Sequence, residues 1–277
     1  MARSGPEIKS REQLQTMRAS GLILASALDA MRRAVTPGMT TAELDQIGSD
    51  VITGAGAISN FKGYHGFTGT ICASVNEEIV HGIPGERVLK AGDLISIDCG
   101  CILDGWHADS AISVHVGEPT DQAEVDLIAA TENSMWAGIA AIRSGGKLGE
   151  VTSAIEGSVK KSGRADGRRY GEVDGYGGHG IGSAMHMDPF VPNHGRQHKG
   201  LRLVSGMALA IEPMLTLGTG LSDELDDGWT VVTRDGSRAA HTEHSVAILD
   251  EGICVLTAVD GGAAALAPYG VVPVSLD

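Results

Sequence analysis

The sequence predicts an α+β protein made of two pseudo-symmetric α/β halves, because one order of elements occurs twice along the chain. Each half begins with a long amphipathic helix, continues through a glycine-containing break and a shorter helix, and ends in short strands. We expect the halves to span about residues 10–116 and 121–256. A weak register supports the repeat, pairing Gly38 with Gly145, although so few matches also arise by chance. The junction of two such halves often holds a site.

The first half contains two helix starts with capping-box spacing. Residues 10–13 (Ser-Arg-Glu-Gln) and 40–43 (Thr-Thr-Ala-Glu) both place a hydroxyl three residues before a Gln or Glu. Apolar residues then recur at helical spacing, and residues 35–38 (Val-Thr-Pro-Gly) end the first helix. The second helix is predicted to end at residues 54–56 (Gly-Ala-Gly), and short strands follow.

The second half repeats this order. Residues 121–124 (Asp-Gln-Ala-Glu) open a third helix, which is predicted to stop at residues 144–146 (Ser-Gly-Gly). A fourth helix is expected over about residues 150–161, followed by glycine-rich strands up to Leu256. The Ala, Gly and Pro content of residues 257–277 predicts an extended or loosely docked tail.

Composition favours an ordinary globular enzyme or binding protein. The 277 residues are 42% hydrophobic, which is enough for a sizeable core. The 21 Lys and Arg against 35 Asp and Glu give a formal charge of −14, so a nucleic-acid partner is not expected. Neither an apolar leader nor an apolar run of membrane-spanning length occurs, and the four cysteines include no C-x-x-C pair. We therefore expect a cytoplasmic protein with no membrane partner.

Residues 94–114 predict a β-hairpin that brings two carboxylates to one face. Asp104-Gly105 is a strong two-residue turn flanked by alternating apolar and polar residues. Counting outward from that turn places Gly100 opposite Asp109. Asp98 then points to the same face as Asp109, at a diagonal distance of roughly 7–8 Å between backbones. The two side chains can converge on one object, for which Gly100 is expected to leave room.

Two such carboxylates repel each other unless a proton or a cation lies between them. A cation is the better interpretation if further ligands exist elsewhere in the chain. The alternative is a pair of solvated aspartates at strand ends, which the hairpin alone does not exclude. Cys99 and Cys101 have the opposite parity, so we expect them to face the core and not to act as ligands.

The second half holds three more candidate ligands. His179 lies in the run Gly-Gly-His-Gly-Ile-Gly, whose bare backbone allows close approach. Glu212 ends the apolar strand Ala-Leu-Ala-Ile, and Glu243 precedes the apolar strand Ser-Val-Ala-Ile-Leu. Taken singly, the histidine could be a polar loop residue and each glutamate part of a buried salt bridge. An unpaired carboxylate at such a position is costly to bury.

Together with the hairpin, these residues supply four carboxylates and one imidazole. Oxygen ligands with a single nitrogen suit a pair of divalent ions such as Mn, Fe, Co or Zn better than a structural zinc site, which favours thiolates. Two-metal sites hold their ions about 3.5–4 Å apart and generate a hydroxide at neutral pH. The composition of the site therefore indicates hydrolysis.

The sequence resembles the type I methionine aminopeptidases from the first helix to about Leu256. The resemblance rests on the segments IDCGCILDGWHAD, GGHGIGSAMH, AIEPML and TEHS and on the order of the five candidate ligands. It implies the pita-bread fold, with two pseudo-symmetric halves around a central antiparallel sheet. It also implies a dinuclear metalloaminopeptidase that removes the initiator methionine from nascent proteins. The metal ligands implied are Asp98, Asp109, His179, Glu212 and Glu243.

The resemblance also assigns roles to these residues. Asp109 and Glu243 would bridge both ions, Asp98 would chelate one of them, and His179 with Glu212 would complete the other. A metal-bridging hydroxide would attack the scissile carbonyl, with Glu212 as its proton shuttle.

Two more histidines match positions of the resembled family. His81 would lie near the scissile amide nitrogen, and His186 would steady the tetrahedral oxyanion. An imidazole donor suits that role because charge develops on that oxygen only during the reaction. A surface loop position is the alternative for His186.

The resemblance implies an apolar pocket for the methionine side chain. Phe61 stands where many bacterial members carry Cys, and Met187 stands where an acidic residue is frequent. These two departures concern the shape of the pocket and touch none of the ligands. A small second residue in the substrate is expected from the resemblance alone. The pocket-lining positions it implies are Tyr64, His65, Phe67, Cys72 and Trp229.

Two other functions fit parts of these observations. The proline-specific aminopeptidases and prolidases resemble this ligand set, but usually carry a sizeable additional N-terminal domain, whereas about ten residues precede the first helix here. A non-catalytic binding module of the same fold is the second alternative, although all five candidate ligands are present. A monomer is expected, and the resemblance is compatible with transient contact with the ribosome.

Overall fold

The computed structural model describes residues 5–277. Four long helices and one short one occur in this part of the chain, with 3-10 turns at Tyr64–Gly66 and Ala267–Tyr269. None of these helices is long and apolar enough to cross a membrane. The helices are Arg11–Ala34 (α1), Thr41–Gly54 (α2), Gln122–Ala140 (α3), Leu148–Ala165 (α4) and Ala263–Leu266 (α5).

Fifteen strands occur within residues 5–277, most of them short. They are Ile58–Ser59 (β1), Ile71–Val75 (β2), Glu78–Val80 (β3), Leu94–Leu103 (β4), Trp106–His115 (β5), Gly171–Glu172 (β6), Gly177–Gly180 (β7), Met187–Pro192 (β8), Ala208–Ile211 (β9), Met214–Thr216 (β10), Ser222–Glu224 (β11), Val231–Thr233 (β12), Ala239–His241 (β13), Glu243–Leu249 (β14) and Gly252–Val255 (β15).

The helix starts are those that the capping patterns predict. Ser10 accepts from the backbone of Gln13 while the Gln13 side chain accepts from the backbone of Ser10, and Thr40 and Glu43 form the same reciprocal pair. Asp121 caps α3 through the backbone N–H of Ala123. Each cap satisfies donors that a helix N-terminus leaves unpaired. The predicted third and fourth helices are confirmed, with α3 ending before the predicted stop and α4 extending further at both ends.

A nine-stranded sheet forms the centre of the molecule. Its main path runs β1, β4, β5, β14, β9, β7, β8, with β2 also paired to β4 and β15 to β14. Every pairing in it is antiparallel. The predicted hairpin is confirmed as β4 and β5, with Gly100 opposite Asp109. Strand β14, from late in the chain, lies between β5 and β9, so the sheet joins the two halves.

Each helix pair covers its own hydrophobic core. One cluster of buried residues joins α1 and α2 to strands of the first half, and a second joins α3 and α4 to strands of the second half. Cys99 and Cys101 are fully buried in the first cluster, as predicted from their parity. The repeated order of elements is therefore confirmed, while a symmetry relation between the halves stays a prediction.

The tail packs more firmly than its composition predicts. Leu266 and Leu276 are buried, and the backbone N–H of Val274 donates to the carbonyl of Ile253. The buried guanidinium of Arg18 donates to the carbonyls of Ala258 and Val259 in the tail and to the side chain of Asp277. The expectation of an extended or loosely docked end is wrong, because apolar side chains anchor the tail to the core.

Candidate metal centre

The central strands place the predicted ligands side by side. Asp98 on β4 lies opposite Ala111 on β5, and Ala111 lies opposite Glu243 on β14. Residues in register on one face of a sheet are close neighbours, so this row brings two carboxylates from distant parts of the chain together. Asp109 lies two residues before Ala111 on β5 and has the same parity.

The other two predicted ligands come from the neighbouring strands. His179 lies on β7, and Glu212 directly follows β9, which pairs with both β7 and β14. The Nε2 atom of His179 lies 3.5 Å from Oε1 of Glu212. All five predicted ligands line one cavity. Within it, ligand atoms of Asp109, His179 and Glu243 come close enough together to hold one ion.

The carboxylates lack the partners that buried charges require. Among the described residues, one oxygen each of Asp98, Asp109 and Glu243 is buried with no hydrogen-bond partner. Burial raises the pKa of Asp98 to about 7 and that of Glu212 to about 8. Burial, followed by the neighbouring carboxylates, also raises the pKa values of Asp109 and Glu243 well above their ordinary range.

These observations fit bound divalent cations. Four carboxyl groups gathered in a buried site repel one another when ionised, and only protons or cations relieve that repulsion. Oxygen and imidazole donors are the ligands that Mn, Fe, Co and Zn accept. The unpartnered oxygens therefore lie where such ions would be coordinated.

His241 is a site residue that the sequence reasoning missed. It is 1% exposed, its Nε2 lies 3.6 Å from Oε2 of Glu212, and that nitrogen has no hydrogen-bond partner among residues 5–277. With Glu212 and Glu243 it forms a second group of atoms that could hold an ion. Its position two residues before Glu243 gave the signal, because alternate residues of an extended chain share a face.

Apolar side chains close one end of the cavity. Phe61 and Phe67 pack edge to face with centroids 6.4 Å apart, and Trp229 packs edge to face on Phe67 at 5.0 Å. Of the predicted pocket residues, His65 does not line this cavity and instead packs against the ring of Tyr64. Those that line it are Phe61, Tyr64, Phe67, Cys72 and Trp229, together with Met185, which sequence reasoning did not identify.

Two histidines lie between the ligands and this apolar end. The His186 ring lies 4.4 Å from the His179 ring, and Nδ1 of His186 lies 3.0 Å from the hydroxyl of Tyr64. The ring of His81 lies 6.2 Å from that of Trp229. Burial lowers the pKa of His81 to about 4 and also lowers that of His186, so both imidazoles are neutral near pH 7.

The space beside the glycines near the candidate ligands is filled by other protein atoms. A Cβ on Gly100 would lie 2.0 Å from Oδ1 of Asn60, so the expectation that Gly100 leaves room for a bound object is wrong. A Cβ on Gly178 would lie 2.1 Å from the carbonyl oxygen of Ala210. The bare backbone around His179 therefore allows neighbouring strands to pack closely and hold that imidazole in place.

Comparisons with known proteins agree with this geometry. The sequence model of metallopeptidase family M24 matches residues 15–250. Methionine aminopeptidase 1 of Mycobacterium tuberculosis is 52% identical over 250 residues, covering 90% of this chain and 94% of that protein. Methionine aminopeptidase 1 of Bacillus subtilis is 45% identical over 251 residues, covering 91% and 98% of the two chains.

Solved structures show the same relationship. The crystal structure of methionine aminopeptidase from Rickettsia prowazekii superimposes with a TM-score of 0.87 at 36% identity, covering 91% of this chain and all of that one. Prolidase from Pyrococcus furiosus superimposes with a TM-score of 0.70 at 19% identity and is covered over 65% of its length. At that identity the likeness to prolidase concerns the fold alone.

Proposed function

Since this chain belongs to metallopeptidase family M24 and, within it, to the methionine aminopeptidases, we propose how its residues divide the work of removing an N-terminal methionine. The chain is a metallopeptidase hydrolase with the pita-bread fold, and the metals of its family are divalent. The convergence of the five candidate ligands on one cavity, three of them with a buried oxygen that has no hydrogen-bond partner among residues 5–277, is the observation that carries the proposal.

In this proposal the five predicted ligands hold two ions. Asp109 and Glu243 would serve both ions, Asp98 would help to hold one of them, and His179 with Glu212 would help to hold the other. His241 orients Glu212, whose Oε2 it approaches to 3.6 Å. Bound divalent ions polarise a carbonyl and lower the pKa of water, which makes a nucleophile available at neutral pH.

Glu212 is proposed to carry the proton of the reaction. Metal binding keeps this carboxylate ionised, and it lines the same cavity as the other ligands, so it can accept a proton from the attacking water. It then delivers that proton to the leaving amine. His81, which lines the same cavity as a neutral imidazole, is proposed to lie against the scissile nitrogen.

His186 is proposed to stabilise the oxyanion. Its Nδ1 faces the hydroxyl of Tyr64 at 3.0 Å. With that hydroxyl donating to Nδ1, the ring carries its proton on Nε2 and can donate it to the substrate carbonyl. A neutral donor of this kind strengthens its hydrogen bond as negative charge develops on that oxygen.

The methionine side chain is proposed to occupy the apolar end of the cavity. Phe61, Phe67 and Trp229 enclose a narrow space that suits an unbranched, flexible side chain. A preference for small second residues is proposed from the family alone. Cytoplasmic location, a monomeric state and transient ribosome contact are proposed on the same basis.

Release of free methionine from a Met-Ala-Ser peptide tests the proposal. Protein stripped with a chelator should be inactive and should recover on adding Mn²⁺ or Co²⁺. Asp98→Asn should abolish the recovered activity, whereas Asp104→Asn, an exposed position in the turn of the same hairpin, should keep it. Activity in the stripped protein, or in Asp98→Asn at wild-type level, would contradict the assignment.

A proline-specific peptidase of the same fold is the second candidate, because prolidase shares the fold. Cleavage of an x-Pro peptide without release of methionine from Met-Ala-Ser would favour it. Folded protein that binds a partner but turns over neither peptide would instead favour the non-catalytic binding module.

A further inference from the structure

A second cavity adjoins the candidate metal centre and is lined by none of the residues at the apolar end of the first cavity. It is a groove of about 420 Å³, within the size range of ligand sites. It shares four residues with the first cavity, which holds the candidate ligands and the proposed methionine pocket. These are His81, His179, His186 and Glu212. Its other large side chains are mainly apolar: Tyr176, Met187, Phe190 and Met214.

The four shared residues indicate which part of a substrate enters the groove. The methionine pocket is a closed end, because Phe61, Phe67 and Cys72 at its base are all buried. With the methionine side chain there and the scissile bond at the shared residues, the rest of the peptide has to leave through the groove. This step rests on the proposed function.

Phe190 is the most prominent apolar side chain of the groove. It lies on β8, which ends the main path of the nine-stranded sheet, and it is 53% exposed. Its ring covers Gly177, where a Cβ would lie 3.2 Å from the ring. Gly177 precedes His179 by two residues on β7, a distance of about 7 Å along a strand. An exposed aromatic ring therefore lies close to the reacting centre.

An extended peptide advances about 3.3–3.6 Å per residue. With the substrate methionine at His179, Phe190 is therefore within reach of the second or third substrate residue after that methionine. The nearby Met187 adds an adaptable apolar surface on the same strand. We propose that Phe190 and Met187 form a subsite for an apolar side chain at the third or fourth residue of the substrate. The enzyme would then select substrates beyond their second residue.

Three substrates and two variants test this subsite. Met-Ala-Leu-Leu-Ser and Met-Ala-Ser-Ser-Ser differ only at the third and fourth residues, and the dipeptide Met-Ala does not extend that far. We expect wild-type kcat/KM to be about fivefold higher for the Leu peptide than for the Ser peptide, mainly through KM, because partial burial of an apolar group gives modest discrimination.

Phe190→Ser should bring the ratio of the two kcat/KM values close to one. Tyr269→Ser is the matched control, since Tyr269 is an aromatic residue of similar exposure that does not line the groove. It should keep the wild-type ratio.

Equal kcat/KM for the two pentapeptides in the wild type would overturn the inference. The same holds if Phe190→Ser keeps the wild-type ratio, or lowers the activity on all three substrates equally, which would indicate a structural role. Failure of the wild type to release methionine from any substrate would instead overturn the proposed function, and this subsite with it.

Discussion

The hydroxyl of Tyr64 lies 3.0 Å from Nδ1 of His186, and we propose that this contact fixes which ring nitrogen carries the proton. Tyr64→Phe removes the hydroxyl that faces Nδ1 and keeps the ring that lines the methionine pocket. We expect kcat to fall about tenfold with little change in KM. This is less than the 10²–10³ that loss of an oxyanion donor typically costs, because the imidazole remains and only the group that fixes its proton is removed. Steady-state kinetics with Met-Ala-Ser measure this.

Tyr170→Phe is the matched control for that variant, because its hydroxyl donates to Asp166 in another part of the molecule. A fall in kcat/KM carried wholly by KM in Tyr64→Phe would show that the hydroxyl binds the substrate and does not orient His186. His186→Ala should lose more, about 10²–10³ in kcat, since it removes the donor itself.

His241 should affect the metal more than the chemistry. Its imidazole contacts Glu212 from a fully buried position, so His241→Ala frees the orientation of a ligand. We expect metal affinity to fall about 10-fold to 100-fold, while activity at saturating metal falls less. Activity measured against Mn²⁺ concentration gives both quantities. His194→Ala, an exposed histidine, should leave the metal dependence unchanged.

At the residue scale, the sequence predicted the polar site better than its apolar lining. The five candidate ligands have recognisable neighbours and a shared chemistry, and the strand pairings bring them together. Met185 was missed because nothing in its local pattern separates a pocket residue from a core residue. His241 was missed although its spacing of two residues from Glu243 carried a signal. Gly100 was misinterpreted because only the fold places Asn60 against it.

At the scale of elements, the segment before α1 contacts the loop between β7 and β8, which spans residues 181–186. Glu7 accepts hydrogen bonds from the backbone N–H and the hydroxyl of Ser183, at 3.0 and 2.6 Å. It also faces the buried ammonium group of Lys9. This contact fixes the loop that ends in Met185 and His186, which both line the active cavity.

Glu7→Ala should therefore loosen a catalytic loop from a distance. We expect kcat/KM to fall severalfold and hydrogen exchange at residues 182–185 to speed up, because the loop loses two hydrogen bonds and Lys9 loses its partner. Glu118→Ala removes an exposed carboxylate elsewhere and serves as the control. Unchanged exchange in Glu7→Ala would show that the loop is held by its other contacts.

Elements with local signals were predictable, and elements defined by distant pairing were not. The capping boxes and the Asp104-Gly105 turn each fix an element within a few residues, and all were confirmed. The tail from residue 257 was mispredicted because its composition is weakly patterned. Its order comes from contacts with the core and with Arg18, which lies more than two hundred residues away in sequence.

At the scale of the whole molecule, the repeated order of elements predicted two helix pairs with strands. It did not predict that β14 lies between β5 and β9, because strand order depends on pairing over more than a hundred residues. That insertion places Glu243 in line with Asp98 and completes the site. The resemblance to a known family supplied the overall shape that residue patterns alone left open.

The stability of the whole protein should reveal the metal without any substrate. In the metal-free protein the pKa values of Asp98 and Glu212 are raised to about 7 and 8, so folding favours their protonated forms. A raised pKa stabilises the fold below the unfolded value and loses that contribution as pH rises through the folded value. The pKa values of His81 and His179 are lowered to about 4. These two groups therefore make the stability fall as the pH drops, and they do so only below about pH 6.5.

Between pH 6.5 and 8.5 the carboxylates should therefore dominate. We expect the metal-free protein to lose on the order of 2 kcal/mol, or about 5 °C in Tm, across this range. Protein saturated with Mn²⁺ should lose much less, because its ligands are already deprotonated and paired with cations. Asp98→Asn should flatten the metal-free slope by removing one titrating group. Calorimetric scans of the two forms measure the slope of stability against pH. Equal slopes with and without Mn²⁺ would show that these carboxylates do not hold the metal.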